Sequence, residues 1–328
     1  MPPQPPGTQL VGERVSIRLH DPEGGFRDIV GILESETSLR KRSGNLVEFS
    51  PQDIAAWRLV APAQRGAGKG APLSLRIREM EIAAAQTWPA AVQEQLGDWT
   101  MRATGKFTMR ANSVLVLGEP QIELDEALAR VNTFYSSHGL PSVIHVPLPT
   151  FQTLDNALDQ KGWEVKTEAL VMVADIGSFS VDERTDYEWS LTETFDQAWL
   201  DLQNDSGVRE IMRSAPAVYA SLRIDGVLVA VGRAANFGDW TVLTRLFVHP
   251  KYRRQRIGTE LISRLLNEAT RGGAAKALLQ VDVNNQSAIQ AYEKYGFRKH
   301  HSYRYRVAPT EVIALQADRD QRTFSGGC

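Results

Sequence analysis

In Leu246-Phe247-Val248-His249-Pro250-Lys251-Tyr252-Arg253-Arg254-Gln255-Arg256-Ile257-Gly258-Thr259-Glu260-Leu261 a strand, a basic loop and a helix meet. A strand is predicted over Trp240 to Val248, and Pro250 stops it because proline donates no ladder hydrogen bond. A helix is predicted over Ile257 to Thr270. Such a junction favours an anion. The first helical turn has unpaired backbone N–H groups at the positive end of the macrodipole. Successive loop N–H groups can form a nest around a diphosphate. Arg253, Arg254 and Arg256 add full charge, and Gly258 lets the backbone approach a ligand without a Cβ in the way.

Outward from this stretch the periodicity gives more elements. Downstream, Lys276 to Val283 reads as a strand, Gln286 to Tyr295 as a helix with Asn285 placed to cap it, and His300 to Val307 as a final strand. Upstream, Val218 to Ile224 and Val227 to Ala234 form a hairpin around Asp225-Gly226, preceded by a helix over about Thr194 to Leu202. The same order occurs earlier in the chain. A helix over Leu75 to Trp88 is followed by strands at Trp99 to Arg102 and Ala111 to Leu117. Then come a helix over Asp125 to Ser137, a strand at Val143 to Val146, a helix over Leu154 to Lys161 and a strand at Ala169 to Ala174. In both blocks a helix ends just before glycine plus an aromatic residue, Gly162-Trp163 and Gly296-Phe297. The expected fold class is α+β, with two copies of one mixed-sheet unit over 73–180 and 181–308.

The first sixty residues differ. Arg14 to Leu19 alternates with period two, and Asp28 to Glu34, Asn45 to Phe49 and Trp57 to Val60 follow, with a helical turn at Ser50 to Asp53. This pattern predicts a small SH3-like β-barrel over 8–62. The Gly-, Ala- and Pro-rich run 63–72 reads as a linker, and 309–328 as a tail ending in Cys328, the single cysteine. One cysteine excludes an internal disulfide and a cysteine-held zinc, and no metal is expected. A net charge of −2 leaves no overall cation excess for nucleic acid. The N-terminus lacks the apolar core of a signal peptide, and no run of 18 apolar residues occurs, so a cytoplasmic location is expected.

The segment from Arg253 to Gly258 resembles the coenzyme-A-binding motif of the GNAT superfamily, Arg/Gln-x-x-Gly-x-Gly/Ala after a Val-x-Pro strand end. Arg253 and Gly258 match its ends, while Arg256 stands where the first glycine belongs. If the loop keeps its shape, the amide of Arg256 still donates and its side chain turns outward. Asn285 to Phe297 resembles the family's later motif, Asn-x-x-Ala-x-x-x-Tyr-x-x-x-Gly-Phe. Trp99-x-x-Arg102, Phe107-Thr108-x-Arg110-Ala111-Asn112-Ser113 and His300-His301-x-Tyr303-x-Tyr305 extend the similarity over most of residues 10–308. They look like an actinobacterial GNAT group that joins an SH3-like domain to a degenerate GNAT-like half and an active one. Some of its members are described as histone-type lysine acetyltransferases.

The resemblance implies an acyl-CoA N-acyltransferase using acetyl-CoA, with direct attack by a primary amine. The pantetheine arm would lie between splayed strands, bonding to the backbone of Leu246, Phe247 and Val248, where an N–H polarises the thioester carbonyl. Arg253, Arg254, Gln255, Arg256, Ile257, Gly258 and Thr259 would hold the diphosphate, and Asn285 the pantetheine arm. Tyr292 would act as general acid on the leaving thiolate. Thr244 and Arg245 occupy the stretch where many relatives carry a glutamate base, which leaves Asp282 as the nearest carboxylate and Asp239 as another. In the first block Val146-Pro147-Leu148-Pro149-Thr150 replaces the phosphate loop, so that block is expected to wall the acceptor site, with Arg110 and Asn112 as polar candidates. An SH3-like module favours a protein lysine over a small amine as acceptor, by analogy. The alternatives are a coenzyme A sensor without chemistry and a protein-binding module. Arg40-Lys41-Arg42 reads as a solvated hairpin tip, and His300 and His301 as one solvated and one packed histidine on an alternating strand.

Overall fold

A computed structural model describes residues 5–22, 24–41, 45–60, 66–105, 108–178, 187–203 and 206–309. The tail from 310 onward, with Cys328, lies outside the described residues, as do 61–65 of the linker, Arg42 and Phe107. The chain divides into two compact units, Met1–Arg65 and Gly66–Cys328.

The first unit holds β1 (Arg14–His20), β2 (Phe26–Ser35), β3 (Ser38–Arg40), β4 (Leu46–Glu48) and β5 (Ile54–Leu59) in the antiparallel order β4-β3-β2-β1-β5. Period-two alternation turns Val15, Ile17 and Leu19 into a small core with Ile29, Leu33, Leu39 and Ile54. The predicted strands are present, but the sheet is open: among the described residues β4 and β5 end it and do not pair. β3 and β4 have three residues each, too short to supply the tilt and stagger that closure requires. Arg40 and Lys41 are exposed, as a hairpin tip should be.

The second unit runs α1 (Leu73–Gln86), β6 (Val92–Leu96), β7 (Trp99–Ala103), β8 (Val114–Val116), α2 (Leu124–Ser137), β9 (Val143–Leu148), α3 (Gln152–Gln160) and β10 (Glu164–Asp175). It continues with β11 (Glu188–Thr192), α4 (Gln197–Asp201), α5 (Arg209–Arg213), β12 (Val218–Ile224), β13 (Val227–Phe237) and β14 (Trp240–Val248). It ends with α6 (Ile257–Arg271), β15 (Lys276–Asp282), α7 (Gln286–Lys294) and β16 (Arg298–Val307). β6 and β11 lie at the two sheet edges, and both escaped the sequence reading. β6 is polar and exposed until Leu96, so it carries no apolar alternation.

Among the described residues the eleven strands of this unit form one sheet, β11-β12-β13-β14-β15-β10-β16-β9-β8-β7-β6. β10 belongs in sequence to the first α+β block, yet it sits between β15 and β16, with Ala169 opposite Asp282 and Tyr303. β16, from the second block, pairs with β9 of the first, Tyr305 opposite His145. The two blocks have exchanged their terminal strands.

Apolar stripes seat the helices. α6 and α7 cover one face, packing Leu261, Leu265, Leu266 and Ile289 on Met172, Leu279 and Val281. On other sheet surfaces, α1 packs Met80, Ala83 and Ala84 with Val171, Leu278, Trp240 and Tyr303. α4 and α5 pack Trp199, Leu200, Ile211 and Met212 with Tyr219, Val231 and, from the first block, Trp88 and Ala111. α1 also carries a buried carboxylate. Glu81 Oε1 lies 2.9 Å from His301 Nε2, and Oε2 3.1 Å from His145 Nε2. Burial alone would push Glu81 up, but His145 and His301 outweigh it and hold the carboxyl well below its usual range. His300 is half-buried, its Nδ1 2.9 Å from His301 Nδ1 and its Nε2 3.3 Å from an Arg76 nitrogen. Among the described residues no helix is long and apolar enough to cross a membrane.

Candidate active site

The β14–β15 ladder is parallel and runs from Trp240 opposite Lys276 to Leu243 opposite Leu279. There it stops, although β14 continues to Val248 and β15 to Asp282. Beyond Leu243 the facing edges of the two strands have no ladder partner among the described residues, where the family resemblance implied a splayed slot. A bulge accompanies the split. Across β13–β14, Val231 faces Phe247 and Arg233 faces Thr244, so Gly232 stands against both Arg245 and Leu246. Arg245 takes a left-handed φ of 58° to allow it. A Cβ on Gly232 would come within 2.9 Å of Leu246 Cδ2 and of Leu265 Cδ1, so glycine lets the bulge and α6 close on the strand.

The basic loop leaves the slot at once. Pro250–Tyr252 forms a 3-10 turn, and Arg253 Nε donates to the Val248 carbonyl at 3.0 Å, folding back onto the strand end. Arg254 and Arg256 both adopt φ 63°. Arg256 is exposed, so its side chain does turn outward while its backbone keeps the conformation glycine would take. A non-glycine residue in that region costs roughly 1–2 kcal/mol. Among the described residues no side chain caps α6, so the N–H groups of its first turn are left for another acceptor. Ile257 is buried and anchors the turn. At Gly258 an added Cβ would meet Tyr295 Oη at 3.8 Å and Val248 Cγ2 at 3.9 Å, ordinary contacts. The protein's own packing does not require glycine there. Thr259 Oγ1 donates to Tyr295 Oη at 2.9 Å, a partner the sequence reading missed although Tyr295 lay inside its second motif.

Tyr292 packs against the same core as Leu246, and its ring lies 6.2 Å from Phe297. Burial, with Tyr295 adding to it, pushes the Tyr292 hydroxyl up to about 12. Asn285 caps α7 as its position predicted, its Oδ1 accepting from Ala288 N at 3.2 Å. Asp282 is engaged: Oδ1 accepts from Asn284 N and Oδ2 from Thr167 Oγ1, each at 2.7 Å, tying the end of β15 to β10.

Of the two polar candidates from the first block, Asn112 is occupied. Its Oδ1 accepts from Thr104 N at 2.6 Å, and its Nδ2 donates to the carbonyls of Thr104 and Thr108. It staples the loop between β7 and β8. Arg110 instead lies over the Trp88 ring at 5.7 Å. The same indole carries a second guanidinium, Arg233, at 5.3 Å. Arg233 is 0% exposed and donates to the Thr87 carbonyl at 3.0 Å, with Thr244 Oγ1 3.5 Å away. Thr244, read as the replacement for a glutamate base, is therefore the neighbour of a buried cation. Arg233 is not among the residues expected from the motifs, yet the sequence carries a signal for it: one charge inside the apolar run Val227 to Ala235. Among the described residues, no group of three or more His, Cys, Asp or Glu side chains could hold a metal ion.

Comparison with known proteins agrees with this geometry. The family model described as "Probable histone acetyltransferase Rv0428c C-terminal" matches residues 75–306. The chain is 28% identical over 249 residues to the uncharacterized N-acetyltransferase YobR of Bacillus subtilis, covering 70% of this chain and 98% of that one. It is 26% identical over 310 residues to the probable histone acetyltransferase Rv0428c of Mycobacterium tuberculosis, covering 90% and 94%. A GCN5-related N-acetyltransferase from Kribbella flavida shares the fold with a TM-score of 0.59 at 16% identity, over 71% of this chain and 95% of that one. With a split sheet, a bulged strand and an uncapped basic helix start in the segment that matches, the chain belongs to the Rv0428c C-terminal family and is an N-acetyltransferase of the GNAT type.

Proposed function

We propose that the chain moves the acetyl group of acetyl-CoA to a primary amine at the slot between β14 and β15. One observation carries this reading: the ladder ends at Leu243–Leu279, and the same strand then feeds an uncapped helix start with left-handed Arg254 and Arg256. The open edge of β14 at Leu246, Phe247 and Val248 offers backbone groups to the amides of pantetheine. The N–H groups from Gln255 to Thr259, with the charges of Arg253, Arg254 and Arg256, suit the diphosphate. The absence of any packing demand for Gly258 supports close approach of a ligand there. Asn285, at the start of α7, is assigned to the pantetheine arm.

In the reaction the amine nitrogen attacks the thioester carbon, a C–N bond forms and the C–S bond breaks. Tyr292 is assigned the proton that the departing thiolate takes up, and the proton lost by the amine passes to solvent. A hydroxyl pushed up to about 12 stays protonated at neutral pH, which suits a donor and not a base. In the first block Pro147 and Pro149 have no N–H to give a phosphate. This supports reading 73–180 as a degenerate half that walls the site of an active half over 181–308. The open five-stranded N-terminal unit is read as an SH3-like partner-binding module, and the need for acetyl-CoA points to the cytoplasm. A protein lysine and a small amine are the two acceptor classes to separate.

Native mass spectrometry of the purified chain should show bound coenzyme A, and Tyr292→Phe should lower kcat by about 10²-fold or more while acetyl-CoA binding is kept. An unchanged kcat would remove the acid role from Tyr292. Binding of acetyl-CoA with no turnover on any amine would favour the second reading, a sensor, for which the absence of a carboxylate at Thr244 speaks.

A further inference from the structure

Three buried donors belong to Trp88 and the two guanidiniums over its ring, and among the described residues none has an acceptor. They are Trp88 Nε1, Arg110 Nε and Arg233 Nε. Trp88 is 3% exposed and Arg233 0%. Both guanidiniums lie on the Trp88 indole, and Arg233 also lies 5.9 Å from the Tyr219 ring. Among the described residues neither arginine is paired with a carboxylate. A guanidinium taken out of water without a counter-ion is costly, and two that repel each other are costlier. Burial pushes Arg233 down from its ordinary value, Tyr219 opposes this, and Arg110 adds to it. Two guanidiniums over one indole whose own N–H is open, with no carboxylate partner among the described residues, are arranged for an anion from outside.

The position says which reactant brings it. Gly232 faces α6, because an added Cβ there would meet Leu261 and Leu265. Arg233, the next residue in β13, therefore points to the opposite face, into the cluster of Trp88, Tyr219, Val231 and Phe247. The anion-binding features of the basic loop belong to the α6 side. Thr244, opposite Arg233, stands next to the bulge at the mouth of the slot. The donors thus lie on the sheet face opposite α6, packed with Phe195, Tyr219 and Phe247, which is the acceptor's side in this reading.

We infer that the acceptor is an amine that also carries a carboxylate, of the α-amino-acid kind with an apolar body, and that Arg110, Arg233 and Trp88 Nε1 bind that carboxylate. This rests on the acetyl-transfer reading of the slot. The carboxylate completes the three open donors, the apolar body fills the aromatic walls, and the amine faces the thioester. The products are the N-acetyl amino acid and free coenzyme A. The same two cations repel a lysine-rich peptide.

The test uses the full chain. Calorimetry first compares binding of N-acetyl-phenylalanine and N-acetyl-leucine with their carboxamides, which differ only in the anion. Kinetics then compare phenylalanine, leucine, their amides and a basic lysine peptide as acceptors with acetyl-CoA. The acids should bind and react at least tenfold better than the amides, and in Arg110→Gln the acid-to-amide ratio should fall toward one. Arg110 is only half-buried, so this variant should keep the fold, which circular dichroism checks. Equal binding of acid and amide, or preference for the basic peptide, overturns the proposal even if acetyl transfer is observed. Tenfold acid preference in binding with no turnover on any amine keeps the carboxylate site and overturns the transfer reading instead.

Discussion

Gly258 stands in the first turn of α6, where the structure asks for no glycine and the proposed ligand does. This separates two effects that usually move together. Gly258→Ala adds a better helix former at a site with room for its methyl group, so stability should rise by about 0.5–1 kcal/mol. The same methyl group occupies the space a phosphate would approach, so KM for acetyl-CoA should rise about tenfold, roughly 1.4 kcal/mol. Denaturant midpoints and acetyl-CoA titrations read the two signs separately, and an unchanged KM would take Gly258 out of the binding surface. Arg256 is the converse case. It holds a left-handed φ of 63° with an exposed side chain, so Arg256→Gly should stabilise the unit by about 1 kcal/mol. A lower denaturation midpoint would mean that the arginine's own contacts outweigh its backbone strain. The sequence showed that an arginine had replaced the motif's glycine. It could not show that the loop would keep the glycine conformation, because that depends on Ile257 being buried beneath it.

At the scale of elements, α1 is held on the sheet by charge as well as by its apolar stripe. Glu81 reaches His301 on β16 and His145 on β9, and Arg76 reaches His300. Burial, then His301, Arg76 and Arg298, push His300 down to about 4. The unfolded chain takes up a proton at this imidazole below about pH 6.5, whereas the folded chain does not. Stability should therefore fall as the pH drops from 6.5 toward 4. Glu81, whose folded carboxyl lies below its usual range, adds to the loss as the pH passes below about 4.5. Urea midpoints at pH 7.5, 6 and 5 check this, and His300→Gln should flatten the slope between 6.5 and 4. A flat profile would mean that the His300 imidazole is solvated. Period two on β16 predicts one packed and one solvated histidine; His301 is packed, but His300 is half-buried against Arg76 and His301. Glu81, the partner of the packed His301, was invisible because it comes from a helix 220 residues earlier in sequence, and periodicity carries no information about such pairs. Likewise the strand, loop and helix of the coenzyme motif were legible in sequence, but the bulge at Gly232 was not, since it arises from register across β13–β14.

On the scale of the whole molecule, repetition was legible and connectivity was not. Two blocks with the same order of elements could be read from Gly162-Trp163 and Gly296-Phe297, but period-two patterns do not say which strands pair. The sheet order places β10 between β15 and β16 and sends β16 to β9, so the block that carries the coenzyme motif is incomplete by itself. Without β10 the edge of β15 loses the partners that run from Ala169 to Asp175, and α1 and α6–α7 lose Val171, Val173 and Met172 beneath them. Without β9 the other edge of β16 is exposed as well. A fragment of residues 181–309 should therefore be insoluble or lack a cooperative melt, and should not bind acetyl-CoA. A fragment of residues 66–309, which keeps all eleven strands, should bind acetyl-CoA as the full chain does. Soluble yield, thermal circular dichroism and calorimetry on the two fragments decide this. A short fragment that melts cooperatively and binds acetyl-CoA would show that β10 and β9 are dispensable, and the first block would then have to be kept for the acceptor alone.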